Sequence, residues 1–371
     1  MKHFDVILVV FNYLYNDARS LNLSNTLFNL GKKILVISLK DSKNESLNNY
    51  KFANELIEIQ NSGRLLNRWI DFTKKIIPLI KQHQSSYIIA SDLYSLPGAA
   101  ISKNSSILIY DSREIYSALA SLNKRILSQF IISRIEKLFL TKVNKIIVSG
   151  ELDKFYLQHK LTDKLPYTII KNLPPFREIQ KNNFIREKYH LDNDSIVLIY
   201  QGVVLNGRGL IPILKALSKL ENTYLFIIGE NFIKDKIISE AKSHKILNKV
   251  LLMDAVDYEN LHPITCSADI GLALFEPVGD SYKLALPNKL FEYCMAGIPV
   301  LASNLVAING VIADYGIGAL VNDVYNIDEI SEKILFLNNK SNKEEIIKNI
   351  MKAKNELSYQ SQENIIRELI N

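Results

Sequence analysis

The chain has 371 residues, 47% hydrophobic, 23% charged and 9% aromatic, with a mean hydropathy of +0.02. That length holds two core-bearing domains, and the composition excludes a disordered, collagen-like or coiled-coil chain. The formal charge of +6, from 45 Lys and Arg against 39 Asp and Glu, is too small an excess to mark a nucleic-acid binder.

The N-terminal apolar run ends too soon for a signal peptide. Asp5 interrupts it, and Asn12, Asn16, Asp17 and Arg19 stand where small residues should precede cleavage, so it reads as a buried first strand. β-branched runs then alternate with amphipathic stretches. Strands are expected at 4–11, 33–37, 87–90, 107–110, 145–148 and 167–170. Helices are expected at 17–30, 65–82, 92–103, 115–141 and 151–159. This rhythm predicts an α/β domain over 1–171, a parallel sheet covered on both faces. Pro174 and Pro175 close it. A second domain, 172–350, follows with strands at 195–201, 223–228, 250–253, 270–273, 299–302 and 319–321, and helices at 210–220, 288–295 and 327–337. A helical stretch at 341–370 ends the chain, and 351–371 is expected to return to the first domain. Two Rossmann-like, doubly wound domains facing a central cleft would bind ligands at the carboxyl ends of their strands. Cys266 and Cys294 cannot build a disulfide framework or an all-cysteine zinc site; a reduced, cytoplasmic setting suits them as small buried hydrophobes. No apolar run reaches the roughly 18–20 residues of a membrane span.

Two strand-to-helix turns of the second domain carry chemistry. In the first, Gln201-Gly202 is followed by Gly207-Arg208-Gly209 and a helix start near Leu210, which offers a close backbone approach, a guanidinium fork and helix amides to a pyrophosphate. A surface loop with a solvated arginine is the plain alternative. Neither Gly207-x-Gly209 nor Gly316-x-Gly318 completes a dinucleotide fingerprint. In the second, Pro287 or Asn288 opens a helix and Lys289 lies in its first turn, where a cation opposes the helix dipole unless an anion is near. Glu292 follows at i+3, giving either a surface Lys–Glu pair or a lysine for phosphate beside a carboxylate for ribose hydroxyls.

The block Leu286-Pro287-Asn288-Lys289-Leu290-Phe291-Glu292-Tyr293, with Ala296-Gly297-Ile298-Pro299-Val300, resembles the donor-site motif of glycosyltransferase family 4, retaining enzymes of the GT-B fold. Gly202 with Arg208-Gly209, Ile228-Gly229-Glu230, Ser267-Ala268-Asp269-Ile270-Gly271, Asp111-Ser112-Arg113-Glu114 and the Ile169–Pro174 junction match further parts. The resemblance implies a glycosyltransferase of bacterial surface-polysaccharide type. Its donor would be a UDP- or GDP-sugar and its acceptor a polysaccharide or lipid-linked glycan. It implies Arg208, Gly209, Asn288 and Lys289 at the donor diphosphate, Glu292 at the ribose, and Gly202, Gly229, Ser281, Leu286 and Pro287 in the donor loop. Two positions depart from the family: Leu284 stands where the first glutamate of its pair belongs, with Glu276 out of register, and Arg113 replaces a common histidine. No Asp-x-Asp pair follows a strand, so the expected chemistry is metal-independent, with no cofactor; the six histidines form no metal spacing. Catalytic candidates are Asp111 and Glu114, which could instead form a capping box, and acceptor candidates are Asp17, Arg19 and Asp92, where the acids could instead be N-caps. Alternatives are an inactive nucleotide-sugar-binding subunit and a GT-B nucleotide-sugar epimerase.

Split at 171/172, the charge is uneven. Residues 1–171 hold 24 Lys and Arg against 14 Asp and Glu, net +10; the rest hold 21 against 25, net −4. Arg64, Arg68, Lys74, Lys75 and Lys81 flank apolar positions in 64–81, either an interfacial helix for the inner membrane face or an ordinary helix packed on the sheet.

Overall fold

A computed structural model gives the structure of residues 2–41, 50–59, 65–116, 125–276 and 286–371. The chain divides into two compact units, Met1–Asn172 with Tyr359–Asn371, and Leu173–Ser358.

The first unit holds a seven-stranded sheet in the order β3-β2-β1-β4-β5-β6-β7, every pair parallel. The strands are β1 (His3–Val9), β2 (Ile34–Leu39), β3 (Ala53–Ile57), β4 (Gln84–Ala90), β5 (Ile107–Ser112), β6 (Lys145–Val148) and β7 (Tyr167–Ile169). The central strands are buried on both faces, which is why they read as unbroken apolar runs rather than alternating ones. On one face Ile7, Val9 and Leu35 pack against Phe72, Ile76 and Ile80 of the helix Leu65–Lys81 and against Leu96 and Ala99 of the helix Leu96–Ser102. Edge strand β3 was not expected: it pairs only with β2, and of Ala53-Asn54-Glu55-Leu56-Ile57 only Ile57 is buried, so its periodic signal is weak. The helix expected from 115 begins at Ile126 (Ile126–Leu140), with Ile115 and Tyr116 buried outside it.

The second unit holds a six-stranded parallel sheet, β10-β9-β8-β11-β12-β13. Its strands are β8 (Ile196–Gln201), β9 (Thr223–Ile228), β10 (Val250–Met253), β11 (Ile270–Ala273), β12 (Val300–Ser303) and β13 (Gly318–Val321). The chain runs from β8 outward to β10 and returns to β11 on the other side of β8. Strand order therefore reverses between β8 and β11, and the loops leaving these two strands flank a crevice. The unexpected helices are short or broken in pattern; Tyr258–Thr265 contains Pro263 and Val306–Tyr315 contains Gly310.

The terminal stretch is two helices, Lys340–Ala353 and Glu363–Leu369, not one. Between them Ser358 Oγ donates to Asn355 O at 2.7 Å, and a 3-10 turn spans Tyr359–Gln362. Lys354 Nζ donates to Arg177 O at 2.7 Å, which keeps 351–358 with the second unit, so the return to the first begins at Tyr359 rather than 351. There Gln362 brackets Lys171, accepting from its N–H at 2.6 Å and donating to its carbonyl at 3.0 Å.

Candidate active site

The loop leaving β8 is shaped by glycines. Gly229 has φ +142°, and a Cβ there would lie 2.1 Å from Gly202 O, so the ends of β8 and β9 meet backbone to backbone. Gly209 has φ +68°, and a Cβ there would lie 2.5 Å from Leu274 Cβ. The Glu276 N–H donates to Gly207 O at 3.0 Å, which ties the loop to the segment after β11. Gly209 precedes the helix Leu210–Leu217 and Pro287 precedes the helix Asn288–Ala296; neither end has a side-chain cap or an acid in its first turn. Both keep the partial positive charge of their amides.

Two cations share an aromatic floor beside these ends. The Arg208 guanidinium lies 4.8 Å from the Phe275 ring centroid, and Lys289 Nζ lies 3.4 Å from that of Tyr200 and 5.9 Å from that of Phe275. Burial pushes the Lys289 ammonium well below its usual range, Arg208 adds to the shift, and Glu292 opposes it. Among the described residues no carboxylate lies within ion-pair distance of Lys289. An arriving anion would relieve this like-charge pair.

Glu292 does not pair with Lys289, although i, i+3 spacing allowed it. Its carboxylate accepts from Gln201 Nε2 at 2.5 Å, and Gln201 Oε1 accepts in turn from Thr265 Oγ1 at 2.7 Å. The Gln201 N–H donates to the Tyr293 hydroxyl at 3.3 Å, and the Tyr293 ring fills the place a Cβ of Gly271 would take. Burial raises the Glu292 carboxyl above its usual range, against the pull of Gln201, Lys289 and Arg177. Around it lies a small recess bordered by Pro174, Arg177, Tyr258, His262 and Thr265, with the Arg177 guanidinium 4.8 Å from the Tyr258 ring centroid. A carboxylate fixed by one amide keeps capacity to accept from hydroxyl groups.

The β8–β11 crevice thus brings together Gly202, Arg208, Gly209, Gly229, Leu286, Pro287, Asn288, Lys289 and Glu292. Ser281 and Leu284 lie outside the described residues. Gln201, Thr265 and Arg177 escaped the sequence reading. Gln201 carried a signal, a polar side chain closing the apolar run Ile196–Tyr200; Arg177 sits in a polar linker and carried none.

In the first unit Asp17, Arg19, Asp111 and Arg113 are consumed by one another. Arg19 grips Asp111 through Nε at 2.9 Å and Nη2 at 2.7 Å, and its Nη1 donates to Ile170 O at 2.7 Å. Arg113 donates to Asp17 and to Ser20 Oγ, each at 2.5 Å, and its Nε lies 3.4 Å from Asp111. Asp17 caps the helix Ala18–Asn29 by accepting from the Ser20 N–H, and Asp92 accepts from the N–H groups of Ser95 and Phe11. No capping box joins Asp111 to Glu114: Asp111 sits in β5 as counter-ion to two guanidiniums, and Glu114 is exposed. Among the described residues no three His, Cys, Asp or Glu side chains are grouped to hold a metal ion.

Residues 181–354 match the family model of glycosyl transferases group 1. No curated protein matches the chain in sequence. Among solved structures, sucrose-phosphate synthase from Thermosynechococcus elongatus is similar at 13% identity and TM-score 0.78, over 100% of this chain and 98% of that one. Anabaena Alr3699/HepE in complex with UDP and glucose is similar at 14% identity and TM-score 0.75, over 99% of each chain. WaaG, a glycosyltransferase involved in lipopolysaccharide biosynthesis, is similar at 16% identity and TM-score 0.70, over 97% of this chain and 99% of that one. Residues 181–354 thus carry a glycosyl transferases group 1 domain, and the two parallel-sheet units have the GT-B fold of these solved structures.

Proposed function

We propose that this chain is a retaining glycosyltransferase that moves a sugar from a UDP- or GDP-sugar to a glycan or lipid-linked glycan acceptor, without a metal ion, in the synthesis of a bacterial surface polysaccharide at the cytoplasmic side of the membrane. The observation that carries this reading is the convergence of Arg208, Lys289 and two uncapped helix starts on one crevice beside Glu292. The complex of Anabaena Alr3699/HepE with UDP and glucose supports a UDP-sugar donor, and the part of WaaG in lipopolysaccharide biosynthesis supports a surface glycan.

When the bond from the anomeric carbon to the phosphate oxygen breaks, negative charge grows on the departing diphosphate. Arg208 and Lys289 are placed before the reaction to meet that charge, so they stabilise the transition state more than the ground state. Glu292, fixed by Gln201, accepts hydrogen bonds from the ribose hydroxyls. No protein nucleophile is assigned.

Incubation with a panel of nucleotide sugars tests the reading. Slow donor hydrolysis, quickened by a suitable glycan acceptor, is the expected result. Binding with no turnover of any donor in the presence of acceptors would overturn the transferase activity. Unchanged thermal stabilisation by UDP or GDP in Glu292→Ala would overturn the ribose assignment.

A further inference from the structure

The helix Ile126–Leu140 packs only one side on the first unit. Leu140 and Glu136 are buried, and Ile132 and Phe139 half-buried, toward the sheet. The opposite side is exposed: Ile126 at 79%, Leu127 at 72%, Leu138 at 65%, Phe130 at 55% and Ile131 at 48%. At 100° per residue these five, with Arg134 and Lys137, fall in one arc of roughly 140°. Arg134 lies over the Phe130 ring, 4.9 Å from its centroid, which sets a cation at the border of the apolar surface.

The neighbouring surface continues the pattern. Leu138 and exposed Ile101 line one recess with Lys103 and Lys142. From Arg125 to Lys142 the only carboxylate is Glu136; it is fully buried, accepting from Tyr110 Oη at 2.7 Å, so no acid faces outward. The helix Leu65–Lys81, by contrast, spends Phe72, Ile76 and Ile80 on the core, and Lys75 on Glu58 O and Asp71, leaving Leu65, Leu66 and Ile70 exposed. Arg64 lies outside the described residues.

We infer that the outer face of Ile126–Leu140 docks on an anionic lipid surface. Large apolar side chains enter the headgroup boundary while Arg125, Arg134, Lys137 and Lys142 meet lipid phosphates, the pattern of an interfacial helix. A second copy of the chain is the poorer occupant, because a twofold contact through this face would set cations against cations with no acid to meet them. The inference concerns the first unit alone and stands independently of the donor-site reading.

Flotation of the full chain with vesicles tests it. Wild type should float with phosphatidylcholine vesicles containing about one third phosphatidylglycerol, less so as salt rises, and not with phosphatidylcholine alone. Leu127→Ser with Ile131→Ser, and separately Arg134→Gln with Lys137→Gln, should each lower the bound fraction roughly tenfold at an unchanged thermal midpoint. Leu66→Ser with Ile70→Ser should change it less than about twofold. Equal flotation of the helix variants and wild type would overturn the inference. So would wild type that fails to float with anionic vesicles, or a dimer in gel filtration that the Leu127 and Ile131 changes dissociate.

Discussion

Each unit holds a cluster of charge at the carboxyl ends of its strands, and the two clusters are built on opposite principles. In the first, Arg19 and Arg113 are matched by Asp17 and Asp111 in direct hydrogen bonds, with Arg19 and Asp111 almost wholly buried. In the second, Arg208 and Lys289 approach over the same aromatic ring, and the nearby carboxylate of Glu292 is bound to an amide instead. The matched cluster holds a strand, a helix start and the Ile170 carbonyl together. In the second, burial and the neighbouring Arg208 hold the Lys289 ammonium below its usual range, and among the described residues no carboxylate lies within ion-pair distance of Lys289.

That contrast breaks at distinct places. The largest effect is expected from Asp111→Asn, which strands buried guanidiniums and should cost the first unit about 3–5 kcal/mol in denaturant unfolding while leaving UDP binding by the second unit unaltered. Glu136, raised by burial to about 7, is next. Its folded pKa exceeds its unfolded one, so stability falls as pH rises from about 4.5 to about 7 and levels off above, by at most about 3 kcal/mol. Glu136→Gln keeps an acceptor for Tyr110 and should flatten that profile. Gln201→Leu removes one hydrogen bond to a charged group and should weaken nucleoside-diphosphate binding roughly tenfold; wild-type affinity would show that Glu292 needs no such support. The smallest effect is protonic. Lys289 is held below its usual range in the free protein, and a bound diphosphate raises it, so binding takes up protons and affinity falls as pH climbs through that window. Calorimetry in buffers of different ionisation heat reads the uptake directly.

Much of this was legible beforehand. The parallel sheets were, because strands buried on both faces leave unbroken apolar runs; 223–228, 250–253 and 270–273 were placed to the residue. So were the two strand-to-helix turns that carry Gly202–Gly209 and Pro287–Glu292, whose glycines and prolines punctuate the chain locally. Edge strand β3 was not, having one buried side chain to announce it. Nor was the fate of Asp17, Arg19 and Asp111, because a residue 92 positions away in sequence decides whether a charge is spent. The Gln201–Thr265 relay is equally non-local. The exposed side of Ile126–Leu140 was hidden because apolar residues ring the helix, and only packing reveals which of them face out.

The central claim, that Lys289 and Arg208 form the diphosphate site, is tested most directly by titrating UDP and GDP into wild type, Lys289→Ala and Asp111→Asn. The expected result is a loss of roughly tenfold or more on removing Lys289, the worth of a charge-assisted contact, with wild-type affinity in Asp111→Asn. Lys289→Ala binding either nucleotide as tightly as wild type would contradict it.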